Sequence, residues 1–368
     1  MEPILELIKV GLGRADKLPY CDDWHGLMIM SLQQGVPGIT FDAIQAKFKE
    51  DAGIILMHDN DLQTAVLMEW YGIVNQISRR YEVNKKTTEK LGRFYAKHGI
   101  QMMLLKGYGL SLNYPDPRRR PSGDIDIYLF GEWKKADAAL TAWFKSSKSQ
   151  EFKIDNSHHH HSVFHIENQM VENHYDFINV HSHKSNKAIE EHFKRLANER
   201  GEEIMENVFL PSPLLEAEFT ARHAASHFAS GEMTIRQLLD WLLLVEKKTS
   251  LIDWREFWKD VRWMGMEKFV VALIDIGVDH LGFDKDIFHI PTDVLSDKNL
   301  SERMVKDILY PVFNQTAPRG LIKYIGWMIK RWWANRWRHE IVYSDSLFNT
   351  FITQVCSHVM KPTTLYKK

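Results

Sequence analysis

Asp124 and Asp126 stand two residues apart in the run Asp124-Ile125-Asp126-Ile127-Tyr128. In a strand that spacing puts both carboxylates on one face and both isoleucines on the other. Two carboxylates side by side repel unless a cation lies between them. Mg2+, or Mn2+ in its place, is the natural ion, because it takes oxygen ligands and keeps phosphate oxygens and water in its shell. The pattern is short, and two unrelated acids at a solvated strand end would read the same way. Upstream, Lys106-Gly107-Tyr108-Gly109 follows the apolar run 101–105. Glycines there let the backbone approach a phosphate, and a helix opening at that turn offers free N–H groups. Lys106 adds a point charge. Arg118, Arg119 and Arg120 precede Asp124; they read either as a solvated charge run or as guanidinium forks suited to triphosphate oxygens.

A third carboxylate is expected from residues 159–177, which read as a hairpin turning at Asn168-Gln169. In that register His165 faces Glu172, Phe164 faces Asn173 and His161 faces Asp176. Phe164, Ile166, Val171, Tyr175 and Phe177 then share a core face. His161, His165, Glu172, His174 and Asp176 share a polar face suited to a metal or nucleotide, and a one-residue slip would reverse both. The run His158 to His161 invites a zinc or nickel reading. In a strand only alternate members share a face, so no more than two could bind one ion locally; an exposed loop-to-strand junction is the competing reading.

These residues need elements to position them. Residues 1–95 read as helical, with Leu62, Val66, Trp70 and Val74 on one stripe of a helix beginning at Asp61. Residues 99–183 read as a small α/β region with strands at 101–105, 124–130 and 158–178 and a helix at 132–146. Helices follow at 186–200, 213–229, 233–248, 253–281, 301–316, 320–338 and 345–359. The fold class expected is α+β, a small mixed sheet embedded in a mostly helical chain. The expected division is a helical region 1–98, an α/β core 99–185, a helical domain 186–300 completing the cleft, and a C-terminal helical region 301–368.

Composition narrows the partners. The chain of 368 residues has 47 Lys+Arg against 48 Asp+Glu, a net charge of −1. A dedicated duplex-DNA binder would carry a basic excess. The two cysteines, Cys21 and Cys356, exclude a disulfide scaffold and any cysteine-based zinc motif. No apolar run is long enough to span a membrane, and no basic stretch precedes an apolar one at the start, so a cytoplasmic protein is expected. Residues 323–338 are basic and tryptophan-rich; they suit a membrane surface, a nucleic acid, or a packing helix with arginines over indoles.

At these residues the sequence resembles the nucleotidyltransferase superfamily with the polymerase-β-type palm, and in particular a bacterial group of uncharacterised nucleotidyltransferase family proteins. The matching stretches are LLKGYGLSLNYPDPRRRPSGDIDIYLF, then MVENHYDF, then RHAASHFASGEMTIRQLLDWLLLV. They reproduce a Lys-Gly turn, a Tyr-Pro, an arginine shortly before Asp-x-Asp, a Glu-x-His strand and a helical Arg-Gln-x-x-Asp-Trp. The resemblance covers about 100–283. The chain departs from the wider superfamily by having Lys106-Gly107-Tyr108 where a Gly-Ser or Gly-Gly turn is usual, and Asn173 in place of an apolar residue.

The resemblance implies a palm-like core with Asp124, Asp126 and Glu172 as catalytic acids and metal ligands, and Asp176 as the other candidate for the third. It implies a nucleotide-binding set of Lys106, Gly107, Gly109, Arg120, Gly123, Arg236 and Asp240, with His174, Asp176 and His165 in support. It also implies two-metal transfer of a nucleoside monophosphate from a nucleoside triphosphate, ATP being expected, to an acceptor hydroxyl on a small molecule, a protein or RNA. Two other readings stand beside it: a non-catalytic nucleotide-binding or toxin–antitoxin-type interaction module on the same fold, and a metal-dependent phosphohydrolase ligating through His161, His165 or His174. Arg236 and Asp240, four apart, could equally be a surface ion pair. His223 and His227, one turn apart, read as a satisfied core pair or a metal site, and His58-Asp59 as a helix N-cap region or a phosphohydrolase dipeptide.

Overall fold

Short apolar alternations become strands only where neighbours complete their hydrogen bonds, and the sheet is assembled from distant parts of the chain. The computed structural model describes residues 2–50, 61–146, 152–158, 160–311, 318, 320–347 and 350. Its strands are β1 (Met102–Leu104), β2 (Asp124–Tyr128), β3 (His161–Ile166), β4 (Gln169–His174), β5 (Arg200–Met205) and β6 (Val208–Pro211). They form one six-stranded sheet in the order β3-β4-β2-β1-β6-β5. The pairs β2–β4 and β1–β6 are parallel; β1–β2, β3–β4 and β5–β6 are antiparallel. This mixed sheet within a mostly helical chain is the α+β architecture expected.

One face of the sheet is apolar. Ile125, Ile127, Phe164, Ile166, Val171, Met102 and Leu104 are buried there beneath Ala136 and Leu140 of helix Trp133–Ser146, and Leu91 and Tyr95 of helix Asp61–Lys97. Each such side chain contributes about 1.5–3 kcal/mol of transfer free energy. The other face meets a larger helical core through Met103, Leu105 and Tyr128. Helix Asp61–Lys97 serves both cores, the second through Val66, Trp70 and Val74. The polar side chains of β2 and β4 therefore lie at the seam between sheet and helical body.

Several elements differ from expectation. Strands β5 and β6 come from residues 200–211, where the sequence shows no alternation. Arg200, Glu202 and Glu203 are exposed on an edge strand, and burial in the hairpin is confined to Val208, Leu210 and Pro211 of β6. The expected helix 253–281 is two, Trp254–Trp263 and Glu267–Leu281, broken at Gly265, whose φ is +75°. The expected helix 320–338 is also two, Leu321–Ala334 and Arg336–Val342, and 301–316 becomes Lys298–Leu309. Along this segment Arg303 lies 3.8 Å from the ring centre of Trp337 and Arg336 lies 4.6 Å from that of Trp333. Guanidiniums over indoles suit a packing helix. His58-Asp59, His159, Cys356 and most of the candidate helix 345–359 fall outside the described residues. Among the described residues no helix is long and apolar enough to cross a membrane.

A buried acid–imidazole group ties three helices of the body together. His192 Nε2 lies 2.7 Å from Glu218 Oε2 and 3.5 Å from Asp260 Oδ2. Burial pushes the Glu218 carboxyl up to about 7, against the pull of His192. For His192, burial is outweighed by Glu218 and Asp260, which raise it. A raised carboxyl favours folding fully below the ordinary glutamate range and loses that contribution as pH rises through about 7; the raised imidazole acts in the same direction. Urea unfolding between pH 5 and pH 8 is therefore expected to show stability falling with pH, by on the order of 3 kcal/mol from Glu218. Glu218→Gln should flatten that profile.

Candidate active site

The parallel pairing of β2 with β4 sets Asp124 beside Met170, Asp126 beside Glu172 and Tyr128 beside His174. Partners in register share a face, so Asp124, Asp126, Glu172 and His174 all project from the side opposite the buried isoleucines. The hairpin turns at Glu167-Asn168, where φ is 50° and 65°. Positive φ at both central residues is the type I′ pattern of a two-residue hairpin turn. The turn thus lies one residue earlier than expected, and Gln169 enters the ladder.

The pairing is corrected by two residues as a result: His165 faces Met170, Val163 faces Glu172 and His161 faces His174. A shift of two preserves the faces. Phe164, Ile166 and Val171 remain in the core, and His161, Glu172 and His174 remain on the polar side. Asn173, on the core side, donates to Asp137 Oδ1 at 2.9 Å, while its own Oδ1 is buried without a hydrogen-bond partner. His165 is exposed near the turn. Tyr175, Asp176 and Phe177 lie beyond β4: Tyr175 packs on Trp133, Phe177 joins the helical core, and Asp176 pairs with Lys194.

Asp126 is the centre of charge. It is 2% exposed, and its Oδ1 accepts from Lys106 Nζ at 2.8 Å and from His174 Nε2 at 3.0 Å. Burial alone would raise this carboxyl; Lys106 and His174 outweigh it and hold the group well below the usual carboxylate range. Burial likewise works against Lys106, but Asp126, then Glu172 and Asp124, leave its ammonium above the ordinary value. His174 is buried too, and its bonds to Asp126 and to Glu172, the latter at 3.4 Å, raise it. Asp124 is pushed up by burial and then by Asp126, against the pull of Lys106.

Lys106 is aimed by the turn after it. The N–H of Leu105 donates to Asp126 O at 3.0 Å, which ties the end of β1 to β2. Gly107 then has φ 60° and ψ −114°, and a Cβ there would come 2.8 Å from Asp124 O. Both facts demand glycine. Gly107→Ala is expected to lower the unfolding free energy by at least about 1–3 kcal/mol, read from the urea midpoint. Gly109 is less constrained, with Leu210 Cδ2 3.2 Å from an added Cβ. Gly123 would admit a side chain freely; its carbonyl accepts from Arg80 and Gln169, each at 2.8 Å.

The arginine run is closed on carboxylates. Arg118 pairs with Asp116 at 3.0 Å and Arg119 with Asp42 at 2.9 Å. Arg120 and Asp240, 5% and 3% exposed, form a two-point pair at 2.7 and 2.8 Å. Tyr114 Oη also donates to Asp240, at 2.7 Å, and Arg120 Nη1 donates to Gly107 O at 3.1 Å. This pair is a buried strut under the Lys106-Gly107 turn. Arg236 donates to Pro121 O at 3.2 Å, and its Nε is buried without a hydrogen-bond partner.

The opposing wall comes from helix Pro213–Ser230. His223 and His227 stand with ring centres 4.5 Å apart. Burial first, and then the positive charge of Lys106, holds both below the usual imidazole value. The two rings pack against each other, and Lys106 acts on both, which sets the pair close to the acid group, a placement only the tertiary fold reveals. At the other side, burial pushes His160 down to about 2 and His161 to about 4, so both are neutral.

Among the described residues, Asp126, Glu172 and His174 place one ligand atom each within 4.8 Å of one another, as do His160, His161 and His174. Asp124 lies along the same face but joins neither group. Acids and an imidazole around one point can hold a divalent ion, with Lys106 supplying positive charge for an anionic partner. A family model described as "Uncharacterised nucleotidyltransferase" matches residues 21–280, a span that contains the whole sheet, the acid face and the helix wall. No curated protein and no solved structure matches the chain. On the strength of that matched span, the chain belongs to the uncharacterised nucleotidyltransferase family.

Proposed function

We propose that this chain is a Mg2+- or Mn2+-dependent enzyme that moves a nucleoside monophosphate from a nucleoside triphosphate, ATP foremost, to a hydroxyl of a small molecule, a protein or an RNA, in the cytoplasm. The observation that carries the reading is the register that sets Asp126 directly beside Glu172, with Asp124 on the same face. Bound there, divalent ions supply positive charge to the α-phosphate and to the leaving pyrophosphate. Asp124, Asp126 and Glu172 are the residues to hold them.

The remaining work falls to the chain. Lys106 balances Asp126, and a phosphate oxygen is the natural partner for its ammonium once a metal takes over that carboxylate. His174 orients Asp126 and Glu172 through one nitrogen. The Glu172 side chain is 19% exposed, enough to meet an acceptor hydroxyl as metal ligand or base. Arg236, at the start of the next helix, and the neutral His223 of the helix wall stand ready to face the nucleotide. Arg120 and Asp240 position the turn rather than touch phosphate.

The test is incubation with labelled ATP, GTP, CTP and UTP and either metal, reading pyrophosphate release and label on candidate acceptors. Asp124→Ala combined with Asp126→Ala is the control. Transfer that survives the double change overturns the proposal. Nucleotide binding without any transfer favours a non-catalytic module.

A further inference from the structure

The four-histidine run has no part in nucleotidyl transfer, yet the fold gathers two of its members, His160 and His161, against His174. His160 O accepts the N–H groups of Tyr175 and Asp176 at 3.0 and 3.2 Å, which pins the residue ahead of β3 to the end of β4. At that irregular step the alternation of a regular strand does not apply. Consecutive residues His160 and His161 both reach His174, with ring centres 5.6 and 5.2 Å from it and 4.4 Å from each other. The expectation that only alternate members could share an ion is corrected here.

The donor geometry suits a metal better than a hydrogen-bond network. One nitrogen from each of the three rings lies within 4.8 Å of the others. His161 Nε2 lies 3.9 Å from Glu172 Oε1, and His174 Nε2 lies 3.4 Å from Glu172 Oε2. A tetrahedral ion with bonds of about 2.0–2.1 Å separates its ligand atoms by about 3.3 Å, so a small closure completes a site of three imidazoles and one carboxylate. A second observation points the same way. His161 is 7% exposed, and its Nδ1, like that of His160, is buried with no hydrogen-bond partner. Buried polar atoms are ordinarily paired, so two neighbouring imidazoles each with an unsatisfied nitrogen are a ring cluster that no protein group completes.

We propose that His160, His161 and His174, with Glu172 as fourth ligand, hold a transition-metal ion of the zinc class, His174 releasing to solvent, as the ion binds, the Nε2 proton that it otherwise shares with Asp126. Imidazole nitrogens select Zn2+, Co2+ or Ni2+ over Mg2+, which prefers oxygen. The ion's presence does not depend on nucleotidyl transfer; a role in which Glu172 is shared with a catalytic metal rests on that reading.

The experiment is a Co2+ titration of the untagged full chain after chelator treatment, read from the visible bands of nitrogen-ligated Co2+, followed by displacement with Zn2+. One equivalent of Co2+ is expected to bind, Zn2+ to displace it and millimolar Mg2+ to leave it in place. His160→Ala and His161→Ala should each weaken Co2+ binding by at least about 100-fold. His165→Ala, on the exposed end of the same hairpin, and Asp124→Asn should leave it unchanged. Circular dichroism checks that each variant is folded, and His160→Gln replaces His160→Ala if the alanine variant is not. Absence of the bands in the native chain, or affinity unaltered by both histidine changes, overturns the proposal. A chain that binds Co2+ through His160 but transfers no label keeps this inference and loses the nucleotidyltransferase one. Label transfer that needs Asp124, with no Co2+ bands, does the reverse.

Discussion

Asp126→Asn is expected to abolish metal-dependent transfer, by on the order of 10³-fold or more, in a chain that still folds. The carboxylate is central to the acid group, yet it is also the counter-ion of Lys106 and the acceptor of His174. Asparagine keeps an acceptor oxygen for both. Asp126→Ala removes it and leaves the buried Lys106 ammonium without its direct counter-ion. Breaking a buried pair from one side costs about 3–5 kcal/mol, so the alanine variant should show a large drop in urea stability as well as lost activity. Asp124 should behave in the opposite way. Its carboxyl is pushed up by burial and by Asp126, which means its charge is unwelcome in the fold. Asp124→Asn is expected to hold or raise stability while losing transfer, the trade-off of a strained functional group. If Asp124→Asn keeps full activity, the acid face is not the reaction centre.

The second large effect concerns Arg120 and Asp240. Both belong to the set expected to bind nucleotide, and the structure joins them to each other. Asp240→Ala leaves the Arg120 guanidinium buried without its partner, and the expected loss is about 3–5 kcal/mol in urea unfolding. Replacing both members, Arg120→Met with Asp240→Leu, should recover most of that loss, because the desolvated charges go together. A phosphate-binding arginine would give another result: a raised KM for the nucleotide, stability near that of the native chain, and no recovery on adding the second change. Stability and KM measured on the same three proteins decide between the two.

Period-two spacing made the shared face of Asp124 and Asp126 legible once the segment is extended, although two unrelated acids at a strand end would have shown the same spacing. The Lys-Gly turn was legible for a similar reason: positive φ beside a strand end selects glycine. The faces of the hairpin were readable from alternation, but its register was not. The turn's place depends on which two residues accept positive φ, and Glu167 gives no sign of doing so. The partners of the arginine run were out of reach, because Asp42 lies 77 residues from Arg119 and Asp240 lies 120 residues from Arg120. Nothing local distinguishes a guanidinium awaiting phosphate from one already closed on a distant carboxylate. The same limit hid the wall of His223 and His227, whose neighbours are set by the docking of a helix on the sheet.

Strand β1 is flanked on one side by β2 and on the other by β6, which enters from residues 208–211. A fragment cut at 185, the expected edge of the α/β core, would leave Met102, Met103 and Leu104 along a bare strand edge. Unpaired apolar edges recruit other chains and aggregate. Any excised catalytic unit must therefore run at least through Pro211, and it must keep helix Asp61–Lys97, which roofs the apolar face. The acids may be read from a few dozen residues, but the smallest soluble piece that carries them spans well over a hundred.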